Sequence, residues 1–187
     1  LAIALDFVGA YSNYDSSGHS GPASFDENDL RLANRGGARI SAAEISAILE
    51  RRSAIERALS EIGPEASLMD ASRVIPWMAL TRLFEGFADI RGVGFSKTTK
   101  ALHRKRPALI PMLDSVVQTY LAVADPEPAS VESFAERATA LVRSYKRDVD
   151  TNGAVLRDLR RKLAKRGREL TEVRILDIAI WSALARA

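Results

Sequence analysis

No cysteine occurs anywhere in the 187 residues. That removes disulfides, thiolate zinc sites, iron–sulfur clusters and a cysteine nucleophile together, and it fits a reducing compartment. No run of about 18 apolar residues is present, so no transmembrane helix and no membrane partner are expected. Histidine is scarce too. His19 lies in a Ser/Gly-rich loop and His103 in a basic segment, and neither has a second histidine or a carboxylate cluster beside it, so a metal site is not expected. Walker, GxGxxG, GxSxG and HExxH signatures are all missing, which sets aside the common nucleotide-binding, serine-hydrolase and zinc-protease chemistries. The apolar start LAIALDFVGAY is interrupted by Asp6 and follows no basic leader; it reads as a core helix rather than a signal peptide. The expectation is a cytoplasmic protein, nucleoid-associated if it holds DNA.

What is present is ordinary globular material. Hydrophobic residues make up 47% and charged residues 27%, which places the chain with folded rather than disordered sequences. A chain of this length buries roughly 70% of its unfolded surface and needs no staples. Strand signals are weak, internal repeats are not visible, and helical signals recur at short spacing, so a single all-α domain over 1–187, of one or two lobes, is expected.

Helix boundaries are written in the caps. Asp26 opens a short helix through Leu30 and Leu32 that stops at Gly36-Gly37. Ser41 with Glu44, and Ser53 with Glu56, each match a capping box, giving two helices that break near Arg51, or one long one, before Gly63-Pro64. Pro76 suits the first turn of a helix carrying Leu80, Leu83, Phe84 and Phe87. A tight IRGVG turn follows, then a helix from about Ser96 to Lys105 that Pro107 ends. PALIP reads as a short extended connector, and Asp114 caps a helix with Val116, Val117, Tyr120 and Leu121. The longest helix is expected from Ser130 to a stop at Asn152-Gly153, followed by a separate basic helix over 154–166 and a last, apolar one from Thr171.

Charge is concentrated rather than large. The net charge is only +3. Yet Arg91, Lys97, Lys100, Arg104, Lys105 and Arg106 crowd one stretch without an acid, and Arg157 to Arg168 holds seven basic residues against Asp158. Two such blocks suggest an anion-binding face; the plain alternative is a solvated helix surface. The turn at Gly92-Val93-Gly94 sharpens this. Two glycines between helices take positive φ without a Cβ clash and let backbone N–H groups come close to a ligand. The start of the next helix favours an anion such as phosphate, while Val93 between the glycines can pin the turn to the core. Ser96 lies in that helix's first turn, and Lys97, Lys100 and Arg104, spaced by three and four, share one face. The candidate backbone-binding set is therefore Gly92, Val93, Gly94, Ser96, Lys97, Lys100 and Arg104.

The stretch IRGVGFSKTTKALHRKRPALIPMLDSVV resembles the core of the helix-hairpin-helix DNA glycosylase superfamily. There a GVG hairpin and its helix precede a proline, a hydrophobic connector and an aspartate that opens the next helix. Asp114 falls 22 residues after Gly92, an interval that resembles the endonuclease III-like members. The resemblance covers about Leu83 to Leu121 and implies double-stranded DNA as partner, a helix-hairpin-helix at about 76–106, a monovalent cation at the hairpin, and Asp114 as the candidate catalytic carboxylate for base excision. Ser96 stands where bifunctional members carry their Schiff-base lysine. Lys97, one residue on, is turned by about 100°, so hydrolysis rather than lyase chemistry is implied. Most of the chain also resembles an uncharacterised bacterial protein family with the pattern "GVG…KRP.L.P..D" and "RILD…W", here Gly92–Gly94, Lys105–Pro107, Leu109, Pro111, Asp114, Arg174–Asp177 and Trp181.

Several residues keep bland readings beside these. An aspartate before VVQTYL is a good cap without any chemistry. His103 could extend the phosphate-binding face. Trp77 and Trp181 read as core, and Asp177 as an arginine's partner. Leu156, Leu159 and Leu163 stripe the inner side of the second basic block. The function expected is double-stranded DNA binding with monofunctional base excision through Asp114. The alternative is a non-catalytic DNA-binding or protein-interaction module in which GVG is only a turn.

Overall fold

A computed structural model describes residues 20–184 except 71 and 73; the helix expected over 1–14, and His19, lie outside the described residues. Among the described residues the protein is all-helical. Its α-helices are α1 (Glu27–Arg35), α2 (Ala42–Glu50), α3 (Arg52–Ile62), α4 (Trp77–Glu85), α5 (Phe95–His103), α6 (Ser115–Ala124), α7 (Phe134–Ala164) and α8 (Glu172–Leu184), with a 3-10 turn over Glu127–Ser130 before α7. The spine is α7. It packs against α4 and α8, α3 covers α4, α6 lies on α8, and α1 lies on α5. One continuous apolar core runs through all of them.

The caps are mostly where the sequence puts them. Asp26 accepts the Asn28 and Asp29 amides, and Ser41 and Glu44 close a reciprocal capping box. The chain does break at Arg51, and α3 ends at Gly63 with φ +71°. The Ser53/Glu56 box does not form: Arg51, two residues earlier, is the cap of α3 and gives it no side-chain bond, and Glu56 instead takes the Phe25 N–H at 2.9 Å and Arg52 at 2.8 Å. Pro76 sits at the cap of α4, just before its first turn. PALIP is not extended throughout, because Leu109 and Ile110 both donate to the Arg106 carbonyl and close a turn there.

The expected stop at Asn152-Gly153 is wrong. The helix begins later, after a Ser133 cap, and runs unbroken through Gly153 to Ala164, taking in the segment expected as a separate helix. The reason is packing. Gly153 is buried, with Met69 Cε 3.6 Å from where its Cβ would stand, and Leu156 and Leu163 continue the buried stripe below it. A Cβ there would meet its neighbours only at ordinary van der Waals distance, so the buried stripe carries the helix past the glycine, whose cost of about 1 kcal/mol it absorbs.

The first basic block is largely internal. Lys105 and Arg106 are 3% and 1% exposed. Lys105 Nζ pairs with Asp29 Oδ1 at 2.8 Å and also donates to Ser20. Arg106 donates to the carbonyls of Pro22 at 2.8 Å, Lys105 at 2.6 Å and Leu59. Two residues counted as part of an anion-binding face therefore tie the α5 end to α1, α3 and the 20–22 segment. Removing one partner strands the other charge in the core. Lys105→Met alone, or Asp29→Asn alone, should cost about 3–5 kcal/mol of unfolding free energy. The Lys105→Met/Asp29→Asn pair should cost clearly less than the sum. Urea titrations of the three variants read this directly, and an additive result would refute the coupling.

Candidate functional site

The turn between α4 and α5 is built as its sequence requires. Gly92 has φ +84°, which only glycine adopts without strain. Val93 is buried, and its N–H closes the turn on the Ile90 carbonyl at 3.0 Å. Gly94 is extended and caps α5 with no side chain, and its Cβ position faces open space. Asp26, Ser41, Asp114 and Ser133 cap four other helices with their side chains, whereas the first-turn amides of α5 have no side-chain cap. Ser96 sits half-buried in that turn. Phe95 stacks on Phe134 at the start of α7, ring centroids 4.7 Å apart, and Arg137 lies over the Phe95 ring. The Ile90 and Gly94 carbonyls accept the Val93 and Thr98 amides at 3.0 and 3.1 Å.

Two charges at this turn escaped the sequence. Glu44, from α2, brings its carboxylate against Gly92, where any added Cβ would run into Oε1. It grips Lys97 Nζ with both oxygens, at 2.6 and 2.8 Å. Burial raises the Glu44 pKa, but the Lys97 and Ser41 hydrogen bonds outweigh it and hold the carboxyl below its usual value. Arg137 is the other, a cation supplied from α7. Nothing local in the sequence pairs positions 44 and 97 or 95 and 137. Lys100, half-buried, has its ammonium 3.9 Å from the Cβ position of Gly37. Burial lowers its pKa against the attraction of Asp114. Arg104 closes the far end of α5.

Asp114 is an N-cap and more. Oδ1 accepts the Val116 and Val117 amides at 3.1 and 3.2 Å, and Oδ2 accepts the Trp181 indole N–H at 2.8 Å. The residue is 8% exposed. The indole that reads as core is thus half-buried and spends its polar edge on Asp114. Trp77 is half-buried too, with the Arg143 guanidinium 4.1 Å above its ring. The RILD…W pattern is now legible as one helix face. Thr171 donates to the Pro107 carbonyl at 2.7 Å, Arg174 Nη1 lies 3.3 Å from Met112 Sδ, Asp177 accepts the Met112 amide at 3.3 Å, and Trp181 holds Asp114. α8 clamps the connector from Pro107 to Asp114 along its length.

Below the clamp lies a buried polar set. The Tyr145 hydroxyl is 2.8 Å from the Val173 carbonyl and 3.0 Å from Asp177 Oδ1. A phenol has one proton, so it cannot donate to both. A protonated Asp177 that donates to the phenol oxygen satisfies the trio, and burial does push its carboxyl up to about 7. Asp177 is therefore more than an arginine's partner, although the Arg174 charge opposes that rise. His103 is core rather than a phosphate contact. It is buried, Nδ1–H donates to the Ile110 carbonyl at 2.7 Å, and burial lowers its pKa to about 3. Among the described residues no group of three or more His, Cys, Asp or Glu side chains is placed to hold a metal ion, and no helix is long and apolar enough to cross a membrane.

The second basic block stays in solvent. Arg157, Arg160, Arg161, Lys162, Lys165, Arg166 and Arg168 are all exposed, and among the described residues their ion-pair partners are Asp158 and Glu172. It begins about 35 Å along α7 from Phe134, and hence from the α5 start. The far end of the first block is nearer to it: Arg104 shares a cavity lining with Glu169 and Thr171, and Arg160 holds Glu172.

The chain belongs to a family of unknown function, DUF6308, which matches residues 6–184 and so takes in both the GVG turn and the clamping helix. No curated protein and no solved structure matches it.

Two measurements test this geometry. Asp114→Ala loses the cap and leaves the buried Trp181 N–H without its acceptor, so it should cost about 2–4 kcal/mol in chemical denaturation; a loss below about 1 kcal/mol would refute the clamp. The pH dependence carries opposite signs at two groups. The folded state keeps His103 neutral, so its contribution is lost as pH falls from 6.5 towards about 3. The folded state keeps Asp177 protonated, so its contribution is lost as pH rises from 3.8 towards about 7. Relative to wild type, His103→Gln should gain stability on going from pH 7 to 5, and Asp177→Asn should gain it from pH 4 to 7. Each limiting slope is about 1.4 kcal/mol per pH unit. Parallel pH profiles of wild type and variants would contradict the assignments.

Proposed function

We propose that this protein binds nucleic-acid backbone, as double-stranded DNA, through a helix-hairpin-helix formed by α4, the Ile90–Gly94 turn and α5. The observation that carries it is the open start of α5: backbone amides without a side-chain cap, behind a glycine whose Cβ side is empty. Such a start favours a phosphate through both its amides and its dipole. Arg91 is exposed beside it and Arg137 stands over Phe95. The Glu44 carboxylate lies on the Gly92 side of the same turn, paired with Lys97, and opposes an anion approaching from that side.

Base excision is not part of this proposal. The Asp114 carboxylate accepts three N–H groups and is nearly inaccessible, which is a complete structural occupation. Asp114→Asn should leave duplex affinity unchanged, and no base release from damaged duplexes is expected of either form.

Affinity for a short duplex across a salt series is the test. Neutralising about four phosphates would give roughly a hundred-fold loss between about 50 and 200 mM salt. Gly94→Ala places a methyl group where the phosphate would approach and meets nothing in the fold, so it should cut affinity about ten-fold with unchanged stability. Gly92→Ala is a poor probe, since it is strained at φ +84° and strikes Glu44. Glu44→Gln keeps the capping box while freeing Lys97, and should raise affinity and steepen the salt slope by about one. Salt-insensitive binding, or Gly94→Ala binding like wild type, would overturn the proposal.

A further inference from the structure

The last three turns of α7 carry the second basic block, and the structure sorts its cations as the sequence does not. Ala154, Arg157, Arg161 and Ala164, spaced by three and four, share one face of the helix. With Arg160, and with Glu172 from the start of α8, they line an open groove of about 470 Å³, roughly 15 Å long along the helix axis. The acid in the groove is already matched: Glu172 is buried, and Arg160 Nη1 lies 3.1 Å from both of its oxygens. Arg160 is therefore committed. Arg157 is exposed and has no ion-pair partner among the described residues. Its Nη1 stands 3.5 Å from where a Gly153 Cβ would be, which lays the guanidinium along the helix beside Ala154. Arg161 is exposed too, and its contact with Asp158 is a loose 3.6 Å, since Lys162 takes the other Asp158 oxygen at 2.6 Å.

We infer that this groove is a second nucleic-acid backbone contact, in which Arg157 and Arg161 each take a phosphate of a duplex and Arg160 does not. The choice of a duplex as ligand rests on the proposed function, whereas the groove's shape and charge stand apart from the turn. Planar guanidinium forks match phosphate oxygens with two parallel, charge-assisted hydrogen bonds. The two forks rise from positions about 6 Å apart along one helix face, and the alanines at either end leave the groove open where a strand would enter and leave. No aromatic side chain is on its lining, so bases find no stacking platform there, and the contact takes charge without reading sequence. The surrounding charge agrees. Lys162, Lys165, Arg166 and Arg168 are exposed nearby, and of the neighbouring acids Glu172 and Asp158 are paired, which leaves Glu169 as the exposed carboxylate that opposes a polyanion.

The experiment measures the affinity of the full chain for a duplex of several helical turns across a salt series. Arg157→Gln/Arg161→Gln should make the salt slope shallower by about two and lower affinity about ten-fold or more at about 100 mM salt. Both side chains are exposed, so the urea midpoint should not move. Lys162→Gln/Lys165→Gln removes the same charge from outside the groove lining and should change the slope by less than about one. Glu172→Gln releases Arg160 and should steepen the slope by about one. If Gly94→Ala weakens binding while the arginine pair behaves like wild type, or like the lysine pair, the groove is not a contact and the turn still is. If the arginine pair weakens binding and Gly94→Ala does not, the turn proposal falls and the groove stands. A wild type without salt-sensitive duplex binding overturns both.

Discussion

A buried chain segment that is not helical must find a partner for nearly every backbone polar group, and the segment from Lys105 to Asp114 meets that demand through side chains from the whole molecule. The Lys105 carbonyl takes Arg106, the Arg106 carbonyl takes two amides, and the Pro107 carbonyl takes Thr171. Ala108 accepts the Leu68 amide and Ile110 accepts His103. Met112 donates to Asp177, Leu113 donates to Thr99, and the Leu113 carbonyl takes Gln118. The residues that make up the sequence pattern at 105–114 and at 174–181 are mostly the two sides of these bonds. Their place in this chain has a structural cause before any functional one.

That constraint also positions the open end of α5. Thr99 and His103 hold the helix to the connector, Lys105 and Arg106 fasten its C-terminal end to α1 and α3, and Phe95 leans on Phe134. The helix is fixed on three sides, so its first-turn amides are presented without freedom to collapse onto a local cap. A preorganised donor set loses little entropy when an anion arrives. The polar core thus does for α5 what a side-chain cap does elsewhere, and it leaves the amides open.

What the sequence made legible was local. Asp26, Ser41 with Glu44, and Asp114 act within three residues of themselves, so their caps could be read directly. The Val93 pin and the Gly92 conformation followed from turn chemistry. The failures were all tertiary. Lys105 and Arg106 look like surface charge until Asp29 and the Leu59 carbonyl come round to meet them. Gly153 looks like a stop until Met69 packs against it. Glu56 looks like half of a capping box until the Phe25 amide claims it. Glu44 was read as a cap and is one, but the same carboxylate also crosses to the turn, a second use that periodicity cannot signal.

Counting charges therefore overstated the first basic block and hid a distinction between the two. Of the cations in 91–106, Lys105 and Arg106 serve the core, Lys97 is committed to Glu44, and Lys100 is half-buried. The attraction there rests on backbone amides, Arg91 and Arg137, which is a small, directional donor set suited to one phosphate. The block at 157–168 is the opposite: many solvated cations whose interaction salt screens readily, with Arg157, Arg160 and Arg161 lining an open groove beside Glu172. A compact ligand could use only one of these. In the proposed backbone binding the turn takes one phosphate, and the exposed block adds a salt-screened attraction for charge further along the polyanion.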